Sequence, residues 1–124
     1  MSDDLRGVIV SHGDLAAAMV DAVQNICGIR DALVPVSNTG CDRVSLRQRL
    51  AEAIDGRRAV VFVDLPTGSC LMAALQEVRE IEDVRVVTGV NLPMLLDFVF
   101  RLGGSPDEAA GRAVEMGAQA IRTP

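Results

Sequence analysis

Lysine, tryptophan and tyrosine are absent from this chain, histidine occurs once, and phenylalanine occurs three times. Each shortage removes a class of function. Without lysine, the basic residues are all arginine and lie scattered, so no basic stripe could follow a phosphate backbone, and nucleic-acid binding is not expected. So few aromatics leave little to stack on a ring, and a core must be built from Leu, Val, Ile, Met and Ala. The three cysteines, Cys27, Cys41 and Cys70, form no C-x-x-C pair, and His12 has no second histidine beside it. Zinc or another metal, a cofactor and a disulfide framework are therefore not expected. No apolar run is long enough to span a bilayer, and the start, Met1-Ser2-Asp3-Asp4, is acidic where a signal peptide would be basic. The expectation is a cytoplasmic protein.

What is present is a chain of 124 residues, 49% hydrophobic and 23% charged, enough for one packed domain over residues 1–124. The net charge of −5 would suit a basic protein partner, although many proteins carry a similar surface. Linkers, repeats and low-complexity tracts are missing. Strand-like and helix-like segments alternate instead. Gly7–Val10 reads as a buried strand, followed by a helix with Leu15, Met19, Ala22, Val23 and Ile26 on one face and a stop at Gly28. Ala32–Val36 reads as a second strand, which Pro35 confines to a sheet edge, and Ser37–Gly40 as a turn. Leu46, Leu50 and Ile54 mark a second helix.

Ala59–Val63 is the strongest strand signal and ends at Asp64. Leu71, Met72, Leu75 and Val78 mark a third helix. Val84–Thr88 reads as a fourth strand, and a fourth helix carries Pro93 in its first turn. Ser105-Pro106-Asp107-Glu108 is a strong start signal for the last helix, with an N-cap serine, a proline at the first helical position and a glutamate three after the cap. That helix should reach Gly117 or beyond, with Ala118–Ile121 a candidate for a short C-terminal edge strand. The fold class expected is α/β, a three-layer sandwich with a mostly parallel central sheet in the flavodoxin-like order 2-1-3-4. A crevice then opens where the first and third strands end side by side.

Three loops meet at that edge: Ser11-His12-Gly13-Asp14, Asp64 through Cys70, and Thr88 through Pro93. His12 is a suitable nucleophile at neutral pH if its tautomer is fixed, and Asp64 is placed to fix it by accepting one ring N–H. Gly68 and Ser69 open a helix whose N-terminal N–H groups suit a phosphoryl group. Catalytic roles are expected for His12, Asp64 and Ser69, with Ser11, Gly13, Thr67, Gly68 and Asn91 in support. Each signal has an ordinary alternative: a loop histidine, a capping aspartate, a helix-start Gly-Ser, a capping Asn-x-Pro. Their convergence on one sheet edge carries the reading.

At these residues the sequence resembles the mannose-type enzyme IIA domain of the bacterial phosphoenolpyruvate-dependent sugar phosphotransferase system. The likeness covers nearly the whole chain and rests on Ser11-His12-Gly13, on Gly89-Val90-Asn91-Leu92-Pro93-Met94-Leu95, and on Val114-Glu115 through Gly117. The resemblance implies that His12 accepts phosphate from the phosphocarrier HPr and passes it to an enzyme IIB. It also implies that Asp64 orients His12, that Ser69 lies against the phosphoryl group, and that any link to the membrane is indirect, through a transporter complex. It further implies a homodimer with a C-terminal strand able to pair into the partner's sheet.

The pattern usually reads Asp-x-x-Gly-Gly-Ser-Pro after the third strand. Here Thr67 replaces the first glycine and Cys70 the proline. Thr67 would be strained if its backbone needed φ > 0, and its hydroxyl could touch a phosphoryl group. Cys70 is either a reactive thiol at a helix start or a small buried residue. The fourth helix is apolar nearly all round, from Leu92 to Leu102, which requires cover from a subunit interface or from within the chain. Competing functions are a regulatory module switched by phosphorylation of His12, and a small-molecule-binding flavodoxin-like domain.

Overall fold

Proline cannot donate to a central ladder, and Pro35 stands where this costs least. It lies opposite Ile9 on β2 (Leu33–Ser37), an edge strand paired only with β1 (Arg6–Ser11). The other side of β1 pairs with β3 (Ala59–Val63), and β3 pairs with β4 (Val84–Thr88). All pairings are parallel, and the order is β2-β1-β3-β4 as the sequence implies. The computed structural model describes residues 4–124; Met1 to Asp3, part of the acidic start noted above, lie outside them.

The helices are α1 (Leu15–Cys27), α2 (Arg43–Ile54), α3 (Ser69–Val78), α4 (Leu92–Val99) and α5 (Pro106–Gln119). Strand residues alternate between two cores, following the period-two pleat. Ile9, Val60, Phe62 and Val87 face α1, α4 and α5, whereas Val8, Val10, Val61 and Val63 face α2 and α3. On the first side Phe62 meets Phe98 edge-to-face, with ring centroids 5.2 Å apart. Gly7 is required nearby: a Cβ there would stand 2.5 Å from Leu33 Cδ2 and 2.8 Å from the Phe98 ring.

Three expectations need revision. Ala118–Ile121 forms no fifth strand. α5 runs on to Gln119, Ile121 N–H bonds the Ala118 carbonyl, and these residues are exposed and pair with neither edge of the sheet. Helix-favouring alanines and a glutamine continue the turn instead.

The apolar faces of α1 and α3 are also rotated from those read in the sequence. α1 buries Ala16, Val20 and Val23 and exposes Leu15 and Ile26. α3 buries Cys70, Ala73 and Ala74 and exposes Met72 and Leu75. Small residues let both helices approach the sheet closely, and the larger apolar side chains are turned outward.

The apolar α4 obtains its cover within the chain. It packs against α5 and α1, burying Met94, Leu95, Phe98 and Val99, and leaves Phe100 exposed just past its end.

Candidate functional site

β1 and β3 are neighbours that end together, so the residues after them meet. Asp64 Oδ2 accepts the backbone N–H of His12 at 3.0 Å and lies 2.7 Å from His12 Nδ1. Asp64 Oδ1 accepts the N–H of Leu65 at 3.0 Å. The Asp64 side chain is 9% exposed and that of His12 is 47% exposed, so the carboxylate is sheltered while the ring reaches solvent. Burial alone would raise the Asp64 pKa. The His12 ring, the His12 N–H, the His12 charge and the Leu65 N–H outweigh burial and hold it below 3.8. An ionised carboxylate only accepts, so in the neutral ring Nδ1 carries the hydrogen and Nε2 is left with its lone pair.

The loop carrying His12 is built by neighbouring hydroxyl and amide groups. Ser11 is fully buried, and its Oγ accepts the Ala16 N–H at 2.7 Å, doing for α1 what its N-cap Asp14 does not. Gly13 has φ 58°, a left-handed conformation that favours glycine. Its N–H donates to Asn38 Oδ1 at 3.2 Å and its carbonyl accepts Ser37 Oγ–H at 2.8 Å. Ser37 and Asn38 thus brace the His12 loop from the end of β2. Sequence reasoning took them only as turn formers, and their place on the strand beside β1 was the available signal.

On the third loop, Gly68 has φ 96° and forms the N-cap of α3 without a side-chain cap. Ser69 is exposed at the first helical position. Thr67 is exposed and is not among the non-glycine residues with positive φ, so the strain considered for it does not arise. The Cys70 sulfur lies 3.9 Å from His12 Nδ1 and is fully buried. Burial, followed by the Asp64 charge, pushes its pKa up to about 11, so the small-buried-residue reading holds over that of a reactive thiol.

Asn91 stands apart in role. Its Oδ1 accepts the Met94 N–H at 3.2 Å as the N-cap of α4, and its Nδ2 donates to the Gly117 carbonyl at 3.0 Å. It joins the start of α4 to α5, and the Val90 N–H ties this loop to β3 through the Val63 carbonyl. The structure therefore brings His12, Asp64 and Cys70 into contact, sets Gly68 and Ser69 at the adjoining helix start, and uses Ser11, Gly13 and Asn91 as braces. A polarised imidazole with a free outward nitrogen, beside an uncapped helix start, is equipped to receive an anionic electrophile.

A family model described as "PTS system fructose IIA component" matches residues 7–114. The sorbose-specific enzyme IIA component of the phosphotransferase system of Klebsiella pneumoniae is 31% identical over 99 residues, covering 77% of this chain and 73% of that protein. The fold is similar to that of a phosphotransferase system enzyme IIA component from Streptococcus agalactiae (TM-score 0.87, 22% identity, 96% of each chain). It is also similar to a mannose/sorbose-specific IIA subunit from Enterococcus faecalis (TM-score 0.86, 23% identity, 98% of this chain and 95% of that one).

Proposed function

Since the chain belongs to the fructose IIA component family of the sugar phosphotransferase system, we propose that it carries a phosphoryl group on His12 Nε2, received from phospho-HPr and delivered to an enzyme IIB. The observation that carries this reading is the 2.7 Å contact between His12 Nδ1 and Asp64 on a ring that remains half exposed. The Nε2 lone pair attacks phosphorus in line as the bond to the donor breaks. The ring then bears positive charge, which the Asp64 carboxylate stabilises. The uncapped first turn of α3, with the Ser69 hydroxyl, supplies donors to the phosphoryl oxygens. Thr67 and Gly68 shape the approach to that turn. Transfer onward is the same step reversed, with the acceptor on IIB in place of the donor.

Two further features support a protein-to-protein carrier. Leu15 follows the His12 loop, Leu65 follows Asp64, and Met72 lies in the first turn of α3; all three are exposed. Apolar side chains at the starts of these elements suit successive protein partners docking over one site. No helix among the described residues is long and apolar enough to cross a membrane, which accords with indirect membrane contact through the transporter. Two copies of the chain are proposed to associate through Phe100, through Val114 and Met116 in α5, and through Ile121 beyond it, all of them exposed.

The test is reconstitution with phosphoenolpyruvate, enzyme I and HPr, followed by addition of IIB. Acid-labile label on His12 that moves to IIB is the expected outcome. Label that stays on His12 would leave a regulatory role, and no label would remove the carrier reading.

A further inference from the structure

The local spacing of cysteines and histidine excludes a metal motif, yet the fold assembles one across strand ends. His12 Nδ1, an Asp64 carboxylate oxygen and Cys70 Sγ all lie within 4.8 Å of one another. Nitrogen, oxygen and sulfur donors in one cluster match the ligand preferences of zinc. Around a tetrahedral zinc, with bonds of about 2.0–2.3 Å, neighbouring ligand atoms stand about 3.3–3.6 Å apart. The observed 3.9 Å between Cys70 Sγ and Nδ1 needs to close only slightly, and the 2.7 Å between Nδ1 and Asp64 needs to open. A rotation of the half-exposed His12 ring serves both changes, and the Asp64 carboxylate and the Cys70 sulfur, within 4.8 Å of one another, draw together as the carboxylate turns onto the metal.

We propose that His12, Asp64 and Cys70 form an inhibitory zinc site, closed by water as a fourth ligand, that blocks the nucleophile. The part of this proposal that concerns inhibition rests on the reading of His12 given above. Charge favours the complex, since a dication, a carboxylate and a thiolate sum to zero, and the Asp64 and Cys70 side chains are both sheltered from water. The Cys70 thiol gives its proton to solvent on binding, as thiols do when they ligate zinc. The effect on His12 follows from its two nitrogens. With the metal on Nδ1, the neutral ring holds its one hydrogen on Nε2, and the outward lone pair needed for attack is gone. The Asp64 carboxylate is drawn onto the metal at the same time and no longer orients the ring.

Cobalt(II) is the probe, because a thiolate–cobalt bond gives a charge-transfer band in the near ultraviolet. Titration of the full chain should give that band, saturating at one cobalt per chain and abolished by added zinc. Cys27→Ser and Cys41→Ser should keep it, and Cys70→Ala should lose it. Loss of a ligand should weaken zinc binding by about tenfold or more, at least the cost of losing a group that merely orients one. Should Cys70→Ala fail to fold, His12→Asn removes a ligand from an exposed position and should weaken zinc binding to the same degree. Absence of the band, its persistence in Cys70→Ala, or unchanged zinc affinity in His12→Asn would overturn the site. Stoichiometric zinc should then suppress labelling of His12 in the parent chain, while Cys70→Ala, compared with its own metal-free rate, should resist. Equal suppression in both would overturn the inhibitory role. Metal binding is read without phosphorylation, so a metal-free chain that takes no label counts against the carrier reading alone. A labelled chain without the cobalt band counts against the zinc site alone.

Discussion

Asp64 Oδ2 receives two hydrogen bonds from the same residue, one from the His12 backbone N–H at 3.0 Å and one from the His12 ring at 2.7 Å. The first positions the loop and the second fixes the ring, so one oxygen sets both the place and the tautomer of the imidazole. Replacing Asp64 with asparagine tests the second role. An amide carries no charge to stabilise the phosphorylated ring, and whichever way it turns, its NH2 meets a backbone N–H, that of His12 or that of Leu65. Labelling of His12 should slow by about 10²-fold or more, while the far-ultraviolet dichroism remains that of the parent. Unchanged kinetics would take Asp64 out of the reaction.

The same pair makes stability depend on pH. Asp64 titrates below its ordinary value of 3.8 in the folded chain, so its contribution is present above that value and is lost as the pH falls through the folded-state pKa. Urea unfolding of the parent and of Asp64→Asn should therefore differ most above pH 4 or so, and converge as the solution is acidified below it. A difference that stays constant across this window would contradict the assignment.

Asn91 separates a brace from a binding group. Asn91→Ala removes the α4 cap and the link to Gly117, and should cost about 1–3 kcal/mol in denaturant unfolding. The folded fraction should still be labelled at close to the parent rate. A large loss of labelling with intact stability would instead place Asn91 on the phosphoryl group.

Gly7 is held to glycine by its neighbours rather than by its backbone angles. Gly7→Ala drives a methyl group into Leu33 and the Phe98 ring and should cost about 1–3 kcal/mol. Gly103→Ala, where an added Cβ meets nothing within 4 Å, should stay within about 0.5 kcal/mol of the parent. Thermal unfolding of the two variants side by side checks the contrast.

Much of this architecture could be read from particular residues. Pro35 put the second strand at an edge, which made the first and third strands neighbours and brought His12 to Asp64. The helix faces were harder, because periodicity counts large apolar residues while α1 and α3 pack through small ones. Ala16, Ala73 and Ala74 carry little hydrophobic signal, and Leu15, Met72 and Leu75 carry much, yet the former are buried and the latter exposed. Ser37 and Asn38 read only as turn formers, and Cys70 as either a reactive thiol or a small buried residue, for a different reason. Their contacts with the His12 loop depend on strand register and helix approach, which residue spacing along the chain does not encode.

The ring position of the phosphoryl group is the most direct measure of the central claim. Nitrogen-15 and phosphorus-31 spectra of the chain labelled through HPr should show phosphorus bonded to Nε2 of His12, with Nδ1 still protonated toward Asp64. Phosphorus on Nδ1, or on any residue other than His12, would contradict the account.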